Sequence, residues 1–273
     1  MTIKVPTILI ILLKKLKIYE FSKKIYRRYF LYSGIIKNDI ESILFYRSYN
    51  EKSGLFIDVG CFKGSKIDQF LNINKNLKII GIEPFKNYFE KLSLKYRNFS
   101  NIKILNYAVS DKTNLKSKFF YNKKKVDKQA FSLLKTAKLN KFVYVKTIML
   151  DKFINRKPKI IKIDTEGSEL KVINGSKKII ESCRPIFFIE VTHLTLKKIE
   201  KKLKKKNYLI FVYEYTFFKR NLRNNWVKSN LIQNNIYDLK IFKSEEIIMK
   251  GRKFMFNLIC LPKENKKIIR DLI

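Results

Sequence analysis

The chain has 273 residues, of which 46% are apolar and only 8 are glycine and 5 proline. This composition is typical of one globular core with a small appendage, and it excludes a disordered or collagen-like chain. Its 60 Lys and Arg against 23 Asp and Glu give a formal net charge of +37, and its 3 cysteines are widely spaced. Such cysteines form neither a zinc pattern nor a disulfide framework, which predicts a reducing, cytoplasmic location.

The positive charge is open to three interpretations. Lysine is spread along the whole chain together with abundant Ile, Asn, Phe and Tyr, and all of these residues have AT-rich codons. Base composition and solvated lysine faces therefore account for much of the excess. The alternatives are contact with an anionic membrane or acidic glycan, and, less favoured, binding to nucleic acid.

Residues 1–50 are predicted to form a basic helical extension. The apolar run Val5–Leu13 is far shorter than the ~20 residues of a membrane-spanning helix, and no small-residue cleavage site of a signal peptide follows it. Beyond it, Lys and Arg alternate with apolar residues at roughly helical spacing. Two interpretations fit this pattern: a helix that docks on the protein's own body, or one that lies on an anionic membrane surface.

Residues 51–265 are predicted to form the main domain, in which apolar strands alternate with helices, and 266–273 a tail. Strands are expected at Leu55–Gly60, Leu77–Ile82, Ile102–Val109, Ile160–Asp164 and Ile186–Val191. Helices are expected at Lys66–Leu71, Phe85–Tyr96, Ser168–Cys183 and Thr195–Lys205. Near-continuous apolar strands separated by helices predict an α/β fold with a mostly parallel, doubly wound sheet.

Two regions depart from this alternation. Residues 115–148 contain β-like segments at Phe119–Tyr121 and Phe142–Val145, separated by a lysine-rich stretch, which predicts an inserted β hairpin. Two final strands, Tyr208–Tyr213 and Phe254–Leu261, are expected to close the main sheet.

The segment "FIDVGCFKG" places Gly60 and Gly64 between the first strand and the first helix. Glycines at such a turn let the backbone approach a ligand, although a tight turn without a ligand has the same spacing. Asp58 at the carboxyl end of the first strand, and Glu83 at the end of the second, favour a nucleotide site. An acid about 20 residues beyond the loop can accept both hydroxyls of a ribose.

The kind of nucleotide follows from what the loop lacks. The spacing is not Gly-x-Gly-x-x-Gly, so the dinucleotide fingerprint is incomplete, and Asp58 would repel a pyrophosphate. The same acid suits the ammonium and sulfonium groups of S-adenosylmethionine. We therefore expect S-adenosylmethionine as the cofactor.

At this point the residues resemble a known family, the FkbM-type S-adenosylmethionine-dependent methyltransferases. The resemblance covers about residues 54–264 and runs in order through "FIDVGCFKG", "GIEPF", "NYAVSD", "TIMLDKF", "IIKIDTEGSELKVINGS" and "PIFFIEVTH". The fifth of these is the most specific. One departure is Cys61-Phe62, where the family usually has Ala-Asn, so the loop lacks one polar side chain.

The resemblance implies a Rossmann-like class I methyltransferase fold and O-methylation of a hydroxyl on a sugar, glycan or related metabolite. The positions predicted to bind the cofactor are Asp58, Gly60, Cys61, Gly64, Glu83, Pro84, Phe85, Ala108 and Val109. No metal ligands are predicted, because the chain has 1 histidine; a carboxylate-bound Mg²⁺ stays open.

Three residues are candidates for catalysis. Asp164 ends the fourth strand beside the first, so it faces the reactive end of the cofactor. Asp164 and Glu166 are predicted to position the acceptor hydroxyl and to take its proton. Glu166 and Glu169 also fit a structural role in the first turn of a helix, which is favoured for Glu169. His193 follows the next strand and is either a general base or a structural residue.

Two other functions share parts of this pattern. An RNA or DNA methyltransferase of the same fold agrees with the charge, but many base N-methylating enzymes carry an Asn/Asp-Pro-Pro-aromatic turn where this chain has "DTEG". A catalytically degenerate module at a membrane surface is the non-enzymatic alternative. Intact Asp58, Gly60, Gly64 and Glu83 argue against lost cofactor binding.

Overall fold

The structure is a computed structural model that describes residues 41, 44, 45, 48, 54–121, 131–133, 141–213, 219–220, 226–227 and 256–272. The chain divides into two compact units, residues 1–43 and 44–273, and the fold given below is that of the second. The predicted N-terminal extension, with its expected membrane contact, lies almost wholly outside the described residues, as does the lysine-rich segment 122–130. No helix in the described ranges is long and apolar enough to cross a membrane.

The domain alternates strands and helices as predicted. The elements are, in chain order, β1 (Leu55–Val59), α1 (Ser65–Ile73), β2 (Lys78–Ile82), α2 (Lys86–Lys95), β3 (Ile102–Leu105), β4 (Ala108–Val109), β5 (Lys116–Tyr121), β6 (Phe131–Ser132), β7 (Lys141–Ile148), a 3-10 helix (Leu150–Arg156), β8 (Pro158–Ile163), α3 (Glu169–Asn174), α4 (Lys177–Ser182), β9 (Ile186–Val191), α5 (His193–Lys204), β10 (Tyr208–Tyr213), β11 (Lys219–Arg220), β12 (Trp226–Val227), β13 (Phe256–Pro262) and a second 3-10 helix (Lys263–Leu272).

The central sheet has seven strands in the order β10-β13-β9-β8-β1-β2-β3. Strand β13 runs antiparallel to both of its neighbours, β10 and β9, while β9, β8, β1, β2 and β3 pair in parallel. The predicted mostly parallel sheet is therefore confirmed, and β1 lies between β8 and β2 in its parallel part. The carboxyl ends of these three strands form one edge, at which ligands of open α/β sheets bind.

Helices pack on both faces of this sheet, which makes it doubly wound. One face is mostly aliphatic: side chains of β1, β8 and β9 contact those of the helices α3, α4 and α5 in a continuous buried core. The other face is aromatic, because Phe70 of α1 lies 4.7 Å from Phe56 of β1 and stacks at 3.9 Å on Phe45. Burial of this apolar surface holds the strands in the register that positions the edge residues.

The insertion forms a second sheet of four strands in the order β4-β7-β5-β6. Strands β5 and β7 are antiparallel over Lys116–Tyr121 and Lys141–Lys146, which confirms the predicted hairpin. Its inner face buries Phe119 and Val145 against Phe85 and Tyr88 of the main domain. The insertion thereby stands beside the edge where β1 and β2 end.

Two predicted elements are each divided in the structure. The expected third strand, Ile102–Val109, breaks at Asn106, whose Nδ2 donates to the carbonyl oxygens of Glu83 and Pro84, both at 2.9 Å. The remainder, β4, joins the second sheet. The expected helix Ser168–Cys183 divides into α3 and α4 at Gly175, where a Cβ would lie 2.1 Å from the Ser110 carbonyl oxygen.

Candidate active site

An open cleft lies at the carboxyl ends of β1, β2 and β8, and it encloses about 570 Å³ of empty space including its mouth. Five of the predicted cofactor residues and two of the predicted catalytic residues line it. They are Gly60, Glu83, Pro84, Ala108, Val109, Asp164 and Glu166. The sheet and the motifs therefore bring most of the predicted site together in one place.

The other four predicted cofactor residues lie behind the cleft wall. Asp58 is buried within β1 at 2% exposure, and Cys61 is buried in the loop after it. Burial, and next the charges of Asp58 and Glu83, raise the pKa of the Cys61 thiol, which keeps it protonated. Gly64 lies under Tyr96, where a Cβ would meet the hydroxyl at 2.4 Å. The backbone N–H of Phe85 donates to Glu83.

Gly60 is required by its neighbours as well as by any ligand. Its φ of 80° lies in the left-handed region, and a Cβ on it would lie 1.9 Å from the carbonyl oxygen of Asp164. The backbone here is fixed on both sides, because Gly60 N donates to Ile82 O at 2.9 Å and Asp164 N donates to Val59 O at 3.0 Å. Only glycine lets β1 and β8 end this close together.

Glu83 fixes the loops around the cleft with its carboxylate. Oε2 accepts from Phe62 N and Oε1 from Phe85 N, both at 2.9 Å. Burial raises the pKa of Glu83 to about 7, and these two N–H donors oppose the shift. Each carboxylate oxygen keeps a further lone pair, so the side chain can accept from ribose hydroxyls while it holds both loops.

The departure at Cys61-Phe62 changes the character of the wall. Phe62 lines the cleft, and its ring packs 4.4 Å from that of Tyr88. An aromatic surface therefore replaces the polar side chain that the resembled family usually carries here.

The two candidate catalytic acids follow β8 in a turn with an unusual backbone. Glu166 has φ 52° and Gly167 has φ 110°, a left-handed conformation that is uncommon for a side chain as large as glutamate. Lys162 Nζ lies 3.2 Å from Asp164 Oδ2, with 12% and 20% of the two side chains exposed. A largely buried cation therefore neutralises part of this acidic cluster.

Glu166 binds a proton more tightly than an ordinary glutamate. Burial raises the pKa of its carboxyl to about 8, the charges of Asp164, Glu190 and Glu169 add to the shift, and Lys162 opposes it. A carboxylate with a pKa near neutral pH can both take and release a proton during turnover. The cleft thus holds one acid paired with a cation and one poised for proton transfer.

Glu169 stabilises this turn by hydrogen bonds from a buried position. It is 1% exposed and lies in the first turn of α3, as expected for a structural acid. Its Oε1 accepts from Gly167 N at 2.7 Å and from the Thr165 hydroxyl at 3.1 Å. These bonds hold the left-handed turn that presents Glu166 to the cleft.

His193 begins α5 directly after β9. Its side chain lies outside the described part of the structure, so its role as a base stays a prediction. Within the described ranges, no three His, Cys, Asp or Glu side chains come together as a metal site.

Several lining residues were missed by the sequence reasoning. Phe119 and Leu133 reach the cleft from the insertion, and no local motif links them to β1 or β2. Thr165 and Ser168 also line it; they belong to the "DTEGS" segment, whose spacing around Asp164 and Glu166 was the available signal.

The family is settled by the sequence itself. Residues 58–210, more than half of the chain, match the model of the methyltransferase FkbM domain. The chain belongs to the FkbM methyltransferase family. This confirms the resemblance in the motifs and makes the protein a methyltransferase, and the family implies S-adenosylmethionine as methyl donor.

The comparison with solved structures finds several methyltransferases, each with a TM-score below 0.5. An FkbM methyltransferase from Methylobacillus flagellatus KT shares 18% identity with a TM-score of 0.46, over 60% of this chain and 41% of that one. A precorrin-6y C5,15-methyltransferase from Geobacter metallireducens GS-15 shares 10%, with a TM-score of 0.46 and coverage of 82% and 88%. An rRNA methylase from Streptococcus thermophilus shares 8%, with a TM-score of 0.44 and coverage of 81% and 94%. No curated protein matches significantly.

Proposed function

We propose that this FkbM methyltransferase transfers a methyl group from S-adenosylmethionine to a hydroxyl oxygen of a sugar, glycan or related metabolite. The observation that carries the proposal is the convergence of Glu83, Asp164 and Glu166 on one cleft. S-adenosylmethionine carries two vicinal ribose hydroxyls, an ammonium and a sulfonium. Carboxylates match each of these groups, by accepting hydrogen bonds from the first and by charge at the other two.

The chain's residues fit this cofactor at both ends. Glu83 is placed to accept from the ribose, and the loops that it holds carry Phe62 and Pro84 as an apolar wall beside it. Ala108 and Val109 add further apolar surface suited to a purine ring. Asp164 lies at the opposite side of the cleft, beside the end of β1, where the cationic end of the cofactor would be stabilised.

The chemistry that the cofactor supplies is a methyl group made electrophilic by its sulfonium. The protein has to orient the acceptor oxygen in line with that methyl and to accept the hydroxyl proton. Glu166 is assigned as the group that accepts the hydroxyl proton. Its pKa of about 8 falls toward neutrality when a positively charged cofactor lies nearby. Asp164, held by Lys162, orients the acceptor.

A second candidate, methylation of RNA, is favoured by one observation, the net charge of +37. The two functions differ in the product. Incubation with methyl-labelled S-adenosylmethionine and fractionated extract, followed by mass spectrometry, identifies the labelled molecule. An O-methyl sugar supports the proposal, and a methylated nucleobase overturns it in favour of RNA.

Variants in the cleft test the assigned roles once an acceptor is in hand. Asp164→Asn and Glu166→Gln are each expected to lower turnover by about a hundredfold, with a smaller effect on cofactor affinity. Glu90→Gln is a matched control, because this side chain is 58% exposed on α2. Turnover at the wild-type rate in both cleft variants would remove the two acids from the reaction.

A further inference from the structure

The hairpin of the insertion has an outer face that the cleft does not use. Alternation along the strands puts Phe119 and Val145 on the inner, buried face. The opposite side chains form three cross-strand pairs, Lys116 with Lys146, Lys118 with Tyr144, and Phe120 with Phe142. We call these six residues the outer face.

The outer face combines exposed rings with positive charge. Phe142 is 44% and Tyr144 is 55% exposed, and the three lysines are also exposed. None of the six residues is acidic. Adjacent exposed aromatic side chains on one sheet face are typical of an interaction surface, and three lysines with no acidic residue among the six favour an anionic partner.

The arrangement of the rings indicates what kind of anionic partner fits. Lys116 Nζ lies 4.7 Å from the centre of the Tyr144 ring, and Lys118 Nζ lies 4.6 Å from that of Phe142. The rings are also edge-on to one another, at 81° for Phe142 with Tyr144 and 62° for Phe120 with Phe142. Ammonium groups therefore occupy ring faces, and the rings form no parallel platform on which nucleobases stack.

Unlike nucleobases, a lipid bilayer can bind such a surface without a parallel stack of rings. At the membrane interface, aromatic side chains enter among the headgroups, while lysines extend along them and keep their ammonium groups in the polar layer. The outer face has an aromatic end and a charged end along the hairpin. The Phe120–Phe142 pair lies at the first and the Lys116–Lys146 pair at the second. Edge-on rings with lysines beside them need no rearrangement to enter a headgroup layer.

We propose that the outer face docks the protein on an anionic lipid bilayer, with Phe142 and Tyr144 among the headgroups and Lys116, Lys118 and Lys146 against the anionic lipids. The neighbouring residue on β5, Phe119, lines the cleft from the other side of the same sheet. Docking therefore leaves the cleft on the side of the hairpin that faces away from the bilayer. The binding itself does not depend on the methyl acceptor.

Sedimentation of the full chain with phosphatidylcholine vesicles, with and without phosphatidylserine, tests the proposal. Each lysine near an anionic surface contributes about 1 kcal/mol, or roughly fivefold in binding. Lys116→Gln with Lys118→Gln and Lys146→Gln is therefore expected to lower partitioning to phosphatidylserine vesicles by about a hundredfold. Phe142→Ser with Tyr144→Ser is expected to lower it by about tenfold.

Two control variants match these changes elsewhere on the surface. Lys197→Gln with Lys198→Gln and Lys201→Gln removes the same charge from the exposed side of α5. Leu94→Ser with Phe99→Ser removes exposed apolar surface of 63% and 43% exposure near α2. Both controls are expected to change partitioning by less than about threefold, and every variant is checked for the wild-type unfolding temperature.

The proposal is overturned if the wild-type chain does not sediment with phosphatidylserine vesicles, or if the controls lose as much binding as the outer-face variants. Binding of a single-stranded oligouridine that is lost in the outer-face variants, with unchanged vesicle binding, would instead assign the surface to nucleic acid. Calorimetry with S-adenosylmethionine on the same variants separates this proposal from the catalytic one. Cofactor affinity is expected to stay at the wild-type value in all of them.

Discussion

Glu83 shows how one residue serves both the fold and the ligand. Its carboxylate accepts from the backbone N–H groups of Phe62 and Phe85 and also lines the cleft. The sequence predicted the second role from the position of an acid at the end of β2. It could not predict the first, because the loop that carries Phe62 comes beside Glu83 only in the folded sheet.

Cofactor binding should release a proton from Glu83. In the free protein burial raises its pKa to about 7, and ribose hydroxyls that donate to the ionised carboxylate would lower that value. S-adenosylmethionine binding near pH 6.5 is therefore expected to release protons, and affinity to rise as pH increases from about 6 to 8. Calorimetry in buffers of different ionisation enthalpy measures the release. Glu83→Gln should abolish it, and an unchanged release in that variant would contradict the assignment.

The raised pKa of Glu166 predicts how the free energy of unfolding depends on pH in the absence of any ligand. Its folded-state pKa is raised from 4.5 to about 8, so the folded protein binds a proton that the unfolded chain loses near pH 4.5. The stabilisation is complete below about pH 4.5 and is lost as pH rises through 8. In Glu166→Gln the decline in the free energy of unfolding between pH 5 and 8 should be smaller, by at most about 1.4 kcal/mol per pH unit.

Urea unfolding at a series of pH values measures this slope. Glu90→Gln, which changes an exposed glutamate on α2, should keep the wild-type slope. If Glu166→Gln also keeps it, Glu166 is hydrated in solution and is not the poised acid of the cleft.

Gly60, Gly81 and Gly175 are expected to differ sharply in their tolerance of substitution by alanine. At Gly60 and Gly175 a Cβ would lie 1.9 Å and 2.1 Å from backbone carbonyl oxygens, those of Asp164 and Ser110. At Gly81 the nearest atoms are the side-chain ends of Ile104 and Ile67, at 2.8 Å and 2.9 Å, which can move. We expect Gly81→Ala to cost roughly 1–2 kcal/mol and each of the other two to cost more than about 3 kcal/mol.

Denaturant unfolding compares the three variants directly. The order of the three losses in unfolding free energy is a firmer expectation than their sizes, because a backbone carbonyl cannot move aside as the end of a side chain can. Equal costs at Gly60 and Gly81 would show that β1 and β8 separate at their ends without loss of the fold, against the close approach seen at Asp164.

The elements that the sequence predicted well are those whose pattern is local. Apolar runs at β1, β2, β8 and β9 lie within one or two residues of their predicted bounds, because both faces of these strands are buried. Two predictions were wrong for a shared reason: the strand expected to reach Val109 and the helix expected over Ser168–Cys183 are each divided in the structure. Asn106 and Gly175 bond or pack against residues distant in sequence, and such contacts leave no periodic signal. The antiparallel direction of β13 is likewise set by its neighbours.

For the whole molecule, the net charge of +37 predicts how salt affects stability. Like charges repel one another in the compact state, and unfolding separates them. Raising the ionic strength from about 0.01 M to about 0.1 M shortens the Debye length from about 30 Å to about 10 Å. The unfolding temperature is therefore expected to rise with NaCl over this range.

The surface ion pairs among the described residues oppose this effect but are too weak to reverse it. Exposed pairs such as Lys206 with Glu181 and Lys86 with Glu90 contribute about 0–1 kcal/mol each and are screened by the same salt. A variant that replaces Lys197 and Lys201, both exposed on α5, with glutamate lowers the net charge by about four. Its unfolding temperature should rise less with salt than that of the wild type, as scanning calorimetry can measure. A wild-type unfolding temperature that falls with added NaCl would mean that attraction between local pairs outweighs the repulsion of the excess lysines.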